Sequence, residues 1–311
     1  MEGDFEKLVA PHRAELHAHC YRMLGSVHDA DDALQDALLG AWRGFAGFEG
    51  RGSLRSWLYR IATNACLQRI AKRPKRVLAV EHGDAAALGP EIEIDPPAEG
   101  VAWLEPYPDD PHASFERRES VELAFTAALQ HIPATQRAAL ILCEVLGFEA
   151  AEVAGLLEST PAAVNSAVQR ARASLAQRVP PVSQQATLRE LGLERQRELV
   201  TSFVDAWAHA DVDAILRLLV DDARFSMPPI PTWFAGRDAI GRFMAERMFA
   251  TAWRLVPTRA SGQLAFACYQ GPEFRLGALN VLTLRGSQIA ELTAFLDPRI
   301  YARFGLAATD R

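Results

Sequence analysis

Residues 148–175, FEAAEVAGLLESTPAAVNSAVQRARASL, have the pattern of two helices joined by a tight turn. Ser159 and Thr160 offer side-chain oxygens that can cap a helix. Pro161 suits a first helical position, because its missing N–H would have no partner there. The apolar residues of the second helix recur at the spacing of one buried face, namely Val164, Val168, Ala171 and Leu175. The stretch therefore predicts a helix-turn-helix.

The opposite face of the second helix is polar. It carries Thr160 at its start, followed by Asn165, Ser166, Gln169, Arg170 and Arg172. A projecting helix with such side chains is typical of proteins that read the major groove of DNA. This segment alone leaves open an ordinary helical hairpin with a solvated face.

A basic segment lies nearer the start of the chain. Residues 51–76 contain eight Lys or Arg and no Asp or Glu, in a chain of 311 residues with a net charge of −6. Positive side chains of this kind neutralise phosphates, and rings can stack on unpaired bases. Trp57 is nevertheless expected to be structural, on a buried stripe with Ile61 and Ala65. The candidates for nucleic-acid contacts are Arg55, Arg60, Asn64, Arg69, Lys72 and Arg73, with capping of a loop as the alternative for Asn64.

An amphipathic helix precedes the basic segment, in the stretch VHDADDALQDALLGAW. Its spacing predicts that Leu34, Leu38 and Trp42 point inward. Its outward face is acidic and consists of Asp31, Asp32, Gln35 and Asp36. Such a face is usually only solvated, but here a basic face follows it within about fifteen residues, which suggests a protein-docking surface beside a nucleic-acid surface.

The composition divides the chain into three folded parts joined by two linkers. The predicted fold class is multidomain: two all-α domains, the second with the helix-turn-helix, followed by an α+β domain whose alternating segments indicate strands. Residues 77–112 contain nine Asp or Glu and no Lys or Arg, with little periodicity, and are interpreted as an acidic linker. The predicted boundaries are 1–76, 77–113 (linker), 114–179, 180–194 (linker) and 195–311.

Several classes of protein are disfavoured by the same sequence. The N-terminus lacks the apolar region of a signal peptide, and no apolar run is long enough to span a membrane. The four cysteines are scattered without metal-ligand spacing, which favours buried thiols in a reducing compartment. We therefore expect a cytoplasmic protein with no membrane contact, no metal and no cofactor.

Three blocks together resemble the sigma-70-type RNA polymerase initiation factors of the extracytoplasmic-function (ECF) group. They are DADDALQDALLGAW, GSLRSWLYRIATNACLQR and VNSAVQRARASL, in the order and spacing usual for that family. The later stretch WAHADVDAILRLLVDDARFSMPPIPTWFAGRDAI resembles the opening of the SnoaL-like extension that one subgroup carries.

The resemblance implies the partners. The acidic helix would dock on the β′ subunit of core RNA polymerase, the basic segment would hold the opened −10 strand, and the helix-turn-helix would read the −35 element. The acidic linker would thread toward the cleft of the polymerase, although a merely solvated tether is equally compatible with it. The family usually has Lys or Arg where this chain has Asn165 and Ala167, so two potential phosphate contacts are missing.

The last domain resembles the SnoaL/NTF2-like cone, which some relatives use for catalysis. Its pocket-facing candidates are apolar or aromatic, namely Met227, Trp233, Phe234, Phe243 and Tyr269. The single polar candidates His209, Asp211 and Asn280 form no readable acid–base pair, so we expect no enzyme activity and no catalytic residues. A regulatory contact of this domain with the helical domains is favoured, with ligand binding left open. The alternative for the whole chain is a stand-alone helix-turn-helix regulator with a ligand-sensing NTF2-like domain.

Overall fold

The computed structural model describes residues 2–48, 53–87, 89–109 and 120–310. The chain divides into two compact units that each combine two separate stretches of sequence. The first, called the helical unit, comprises Met1–Arg76 and Leu123–Pro181; the second, called the sheet unit, comprises Val77–Glu122 and Val182–Arg311.

The N-terminal half of the helical unit is built from α1 (Glu2–Val9), α2 (Arg13–Leu24), α3 (Val27–Gly44) and α4 (Leu54–Ile70). Helices α3 and α4 begin at serine caps, because Ser26 Oγ accepts from Asp29 N at 3.1 Å and Ser53 Oγ accepts from Ser56 N at 3.0 Å. Their apolar faces pack on α2 around Cys20, Tyr59 and Cys66, all fully buried. Trp42 does not point inward as predicted: it is 40% exposed and packs edge-on against the Phe5 ring.

The next helix along the chain, α5 (Ala79–His82), belongs to the sheet unit.

The second half of the helical unit has α6 (Leu123–Gln130), α7 (Ala134–Leu140) with a π-helical continuation (Ile141–Val145), α8 (Ala150–Leu156) and α9 (Pro161–Ala176). Helices α8 and α9 form the predicted helix-turn-helix. Val164, Val168 and Ala171 are buried as predicted, whereas Leu175 is only half-buried. Thr160 Oγ1 caps α9 by accepting from Ala163 N at 3.2 Å.

The two halves of the helical unit pack against each other through a buried arginine. Arg137 on α7 is 4% exposed and donates to Met23 O at the end of α2 as well as to Gln130 Oε1, the latter at 2.8 Å. Gln130 Nε2 in turn donates to Arg22 O at 3.4 Å. Burial lowers the pKa of Arg137 to about 10. Its charge is thus satisfied by carbonyl dipoles of both halves.

The sheet unit continues with α10 (Gln184–Ala208), α11 (Val212–Leu218), α12 (Arg237–Glu246) and α13 (Pro298–Tyr301). Its strands are β1 (Leu219–Met227), β2 (Ile230–Ala235), β3 (Trp253–Ala260), β4 (Gln263–Gln270), β5 (Arg275–Arg285) and β6 (Gln288–Phe295). They form one sheet in the order β2-β1-β6-β5-β4-β3, in which only the β1–β6 pair is parallel among the described strands. One face packs on α10 and α12 around Phe203, Trp207, Phe225, Phe243 and Phe266.

The acidic segment lies along the sheet unit. We call its described residues, 77–87 and 89–109, the strap. Most of the strap is irregular, as predicted, but it is bound: Ile92 is 7% exposed and Leu104 is 1% exposed. Its hydrogen bonds join Ala86 N to Trp233 O (2.8 Å), Asp95 N to Thr232 Oγ1 (2.9 Å), Ala98 N to Pro229 O (3.0 Å), Ser261 N to Tyr107 O (2.7 Å) and Gly262 N to Asp109 Oδ1 (2.6 Å). The remainder of the predicted linker, 110–113, lies outside the described residues.

The end of the chain closes the sheet unit. Tyr301 is buried, and its hydroxyl donates to Gly277 O at 2.7 Å and lies 3.2 Å from Phe295 O. Leu276 N donates to Ala308 O at 3.0 Å, so the last residues are bonded to β5. Among the helices of the described residues, none is long and apolar enough to cross a membrane.

Candidate nucleic-acid and protein interfaces

The acidic face predicted on α3 is present on the surface. The side chains of Asp32 and Asp36 are 55% and 58% exposed, and Gln35 is exposed as well. Asp31 is less open, because its Oδ1 lies 3.1 Å from His17 Nε2 on α2. The spacing of these residues along one side of α3 places three polar side chains where a protein surface can meet them.

Arg69 on α4 bridges this acidic face. Its Nη1 lies 3.2 Å from Asp32 Oδ2 and its Nη2 lies 2.6 Å from Asp36 Oδ2. The guanidinium fork therefore joins two of the predicted docking carboxylates, and its side chain is only 21% exposed. In this structure Arg69, predicted to contact a phosphate, pairs with two carboxylates of the acidic face instead.

A second cluster of opposite charges lies one turn earlier on α3. Asp29 is buried, and its carboxylate accepts from Arg73 and from Arg76 Nη2, the latter at 2.5 Å. Sequence reasoning gave Asp29 no role, although its spacing of three residues from Asp32 places both on neighbouring parts of one helix face. The buried carboxylate holds the chain after α4 against α3.

Three predicted nucleic-acid residues remain open to solvent. Arg60, Asn64 and Lys72 are exposed. Gln68, which was not predicted, is also exposed and continues the four-residue spacing of Arg60 and Asn64 along α4. This open stripe can meet a phosphate backbone or base edges without any rearrangement.

Arg55 is occupied within the helical unit. Its Nη2 donates to Leu146 O at 3.1 Å, and its guanidinium lies 4.4 Å from the centre of the Phe148 ring. Tyr59, the second ring of the basic segment, is fully buried and contacts Phe148 edge-on at 5.4 Å. Burial raises the pKa of Tyr59 to about 12. Trp57 is half-buried and stacks at a tilt on Phe48, with 4.9 Å between ring centres.

The polar face of α9 is open. Asn165, Ser166, Gln169 and Arg170 are exposed. Arg172 is exposed but its Nε pairs with Glu144 of the π-helical segment that continues α7, and Thr160 serves as the helix cap described above. The face therefore presents amide and hydroxyl groups at its centre. Of its two arginines, Arg170 has no ion pair among the described residues, whereas Arg172 has one.

The residues of the sheet unit that were predicted to face a pocket or to act as acid–base groups fall into three groups. Some lie in the core, some bond residues of their own helix, and one contacts the strap. Of the residues predicted to face a pocket, Met227, Phe234 and Phe243 lie in the core cluster. Trp233 does not: its Nε1 donates to Gly83 O of the strap at 2.9 Å. The exposed His209 bonds its own helix, and Asp211 caps α11 by accepting from Ala214 N at 2.8 Å. Within the described residues no group of three or more His, Cys, Asp or Glu side chains could hold a metal ion.

Comparison with known proteins assigns each part of the chain to a family. Residues 8–76 match the model of Sigma-70 region 2, residues 122–175 that of Sigma-70, region 4, and residues 200–292 that of the SnoaL-like domain. The ECF RNA polymerase sigma factor SigG of Mycobacterium tuberculosis is 40% identical over 315 residues, covering 98% of this chain and 84% of that protein. The ECF RNA polymerase sigma factor SigM of the same organism is 33% identical over 172 residues, covering 55% of this chain and 75% of SigM.

A solved structure extends the similarity to the fold. The crystal structure of the extracytoplasmic function sigma factor SigJ of M. tuberculosis covers 99% of this chain and 100% of its own, with a TM-score of 0.60 and 20% sequence identity. At that identity the likeness concerns the fold alone. Together with the relationship to SigG over nearly the whole chain, these findings place the protein among the ECF RNA polymerase sigma factors, with a SnoaL-like domain at its C-terminal end.

Proposed function

We propose that this chain binds the β′ and β subunits of core RNA polymerase, with α3 docking on β′, and directs the polymerase to promoters with −35 and −10 elements. The observation that carries the proposal is the pairing of an exposed acidic face on α3 with an exposed polar stripe on α4 in one small module. The first suits a basic protein surface, and the second suits a nucleic-acid strand. The chain does no covalent chemistry and acts in the cytoplasm with the polymerase.

Binding both elements requires the helical unit to open. The names of the elements place them about 25 base pairs apart, or about 85 Å of duplex at 3.4 Å per base pair. A compact unit of this length has a radius of gyration of about 14 Å, so α4 and α9 cannot reach both elements while their halves are packed together. We infer that the structure is a closed form, held by Arg137 and Arg55, and that polymerase and promoter select an open one.

The C-terminal domain regulates this opening through the strap. The strap connects the two halves of the helical unit along the chain, and it is bonded to β2 and to the β3–β4 turn. While it is bound, its residues cannot extend, and the length of chain available for separating the halves is reduced. Release of the strap therefore favours the open form. A direct contact of the SnoaL-like domain with the helical domains belongs to the same proposal.

The experiment is transcription of a genomic fragment library by core polymerase, with and without the full chain. Promoter-dependent transcripts that require the chain support the proposal. Tight binding of promoter duplex by the chain alone, with no effect of core polymerase, contradicts it and favours a stand-alone regulator. Thr232→Val, which removes the hydroxyl that bonds Asp95, tests the regulatory part, since it should increase transcript yield without changing the promoters used.

A further inference from the structure

The side of α9 that faces away from its buried stripe has a row of small, uncharged residues along its middle. At about 100° per residue, the positions most nearly opposite the stripe are those of Ala162, Ser166 and Ala173, all exposed. Gln169 and Arg170, also exposed, lie at nearly equal angles on the two sides of this row. Because the row is small, the helix axis can come close to a surface that it meets, and the longer side chains beside it can reach that surface.

The charges of α9 lie beside the row and not on it. Arg170 is on one side, and Arg172 is further round on the other side, where its Nε pairs with Glu144. The sequence of α9 contains no Asp or Glu, so the helix offers no carboxylate to the amino group of a cytosine. The middle of the face therefore meets DNA with methyl, hydroxyl and amide groups.

Gln169 is the long uncharged side chain beside the row. It is exposed, and its amide makes no hydrogen bond within the described part of the chain. A free carboxamide offers a donor and an acceptor side by side. In the major groove adenine presents the matching pair, the N7 acceptor and the N6 amino donor, and glutamine can bond both at once.

Ala162 presents an exposed methyl group in the first turn of the same helix. Residues near the N-terminus of a recognition helix contact base edges, and an alanine methyl suits the 5-methyl group of thymine. Ala162 and Gln169 are seven residues apart, which is nearly two full turns, so they lie almost in line along the helix. At 1.5 Å per residue their separation is about 10.5 Å, or about three base pairs at 3.4 Å each.

We propose that α9 reads two A·T base pairs that lie about three base pairs apart. Gln169 bonds N6 and N7 of the adenine of one pair, and the methyl group of Ala162 contacts the thymine methyl of the other. The inference rests on the proposed function, in which α9 reads the −35 element, and it adds which bases are read and by which side chains.

The first test is a selection by the holoenzyme formed from core polymerase and the full chain. The DNA is a promoter from the library experiment whose −35 region has been randomised, and sequencing of bound fragments gives the relative affinities. One position should prefer adenine by about tenfold. Gln169→Ala should abolish that preference. Gln169→Arg should change the preferred base at the same position to guanine, because arginine bonds O6 and N7 of guanine; a merely structural role of Gln169 predicts no such exchange.

The second test replaces the thymine of the other pair by deoxyuridine, which pairs identically and lacks the methyl group. The natural holoenzyme should bind the uracil-containing promoter about fourfold more weakly, as expected for one buried methyl group. The Ala162→Gly holoenzyme should bind the two promoters equally. The ratio of the two affinities is not affected by a general weakening of the helix, so a small loss of stability in this variant does not disturb the test.

Asn165→Ala is the matched control, since Asn165 is an exposed amide of α9 that lies further from the row. It should leave both base preferences unchanged. An adenine preference that survives Gln169→Ala or disappears in Asn165→Ala, or equal binding of the thymine and uracil promoters by the natural holoenzyme, would overturn the inference while the proposed function stands. A holoenzyme that selects no promoter would overturn both.

Discussion

Replacement of Arg55 by alanine distinguishes two opposite roles for one side chain. The sequence predicted that Arg55 contacts a phosphate of the −10 strand. In the structure it joins α4 to the segment that precedes the helix-turn-helix, through Leu146 O and the Phe148 ring. If Arg55 contacts a phosphate, its removal should weaken promoter binding. If Arg55 acts as a clamp that holds the two halves of the helical unit together, its removal should strengthen promoter binding.

The size of the clamp effect follows from the contacts that cross between the two halves. A hydrogen bond from a charged donor contributes about 1.5–3 kcal/mol, and a cation–π contact contributes about 0.5–1 kcal/mol. The pairing of Arg55 with Glu15, at 3.9 Å, lies within one half, so it is not broken when the halves separate and does not contribute to the clamp. Allowing for water that replaces these contacts on opening, we expect a loss of about 2 kcal/mol, or about a 30-fold shift toward the open form.

The assay combines a distance measurement with promoter binding by the holoenzyme. Fluorescent labels at exposed Arg43 and Gln177, replaced by cysteine in a Cys143→Ser background, report on separation of the halves. The other native cysteines are buried and should not react. We expect Arg55→Ala to lower transfer efficiency in the free protein and to tighten promoter binding by up to about 30-fold.

Arg60→Ala is the matched control, since Arg60 is exposed on the same helix. It should weaken binding and reduce the slope of log affinity against log salt by about 0.7, as expected for one contact with single-stranded nucleic acid. The clamp reasoning is refuted if Arg55→Ala behaves like Arg60→Ala, with weaker binding, a smaller salt slope and unchanged transfer efficiency.

Three further results are expected. Charge reversal at Asp32 and Asp36 should abolish copurification with core polymerase while circular dichroism stays unchanged; retained copurification would exclude α3 as the docking face. Thr232→Val should speed hydrogen exchange of strap residues 89–109 by roughly 5- to 160-fold, corresponding to about 1–3 kcal/mol for its bonds with Asp95, and equal exchange would mean that these bonds do not hold the strap. Burial of His19 lowers its pKa from 6.5 to about 3, so the unfolded chain binds the extra proton between these values. The free energy of unfolding should therefore decrease as the pH is lowered below 6.5, by about 3 kcal/mol at pH 4. His19→Gln should remove this part of the pH dependence, as measured by urea titrations.

The parts of the site that local pattern specifies were predictable. The buried stripe of α9, its capping by Thr160 and the exposure of Asp32 and Asp36 all follow from spacing of three and four residues along a helix. Local pattern is also what makes a helix-turn-helix visible in a single sequence, because both helices and the turn lie within 28 residues.

The remaining features depend on residues that are distant along the chain. Arg69 pairs with Asp36, 33 residues earlier, and Asp95 bonds Thr232, 137 residues later. No spacing rule relates such positions. The sequence therefore predicted that the basic side chains are free to bind nucleic acid and that the acidic segment is an unattached linker. The strap also lacks periodicity, since most of its bonds to β2 and to the β3–β4 turn are made by irregular backbone.

The strap also sets an order of events during synthesis. Its residues leave the ribosome before the sheet that binds them, and Thr232 follows Asp95 by 137 residues. At about 5–20 residues per second, this interval lasts roughly 7–27 s. Both halves of the helical unit are complete before the first strand, Leu219–Met227, appears. If the strap restrains the helical unit as proposed, a nascent chain has its sigma regions before it has this restraint, and a polymerase encountered during those seconds would meet the factor with the strap still unbound.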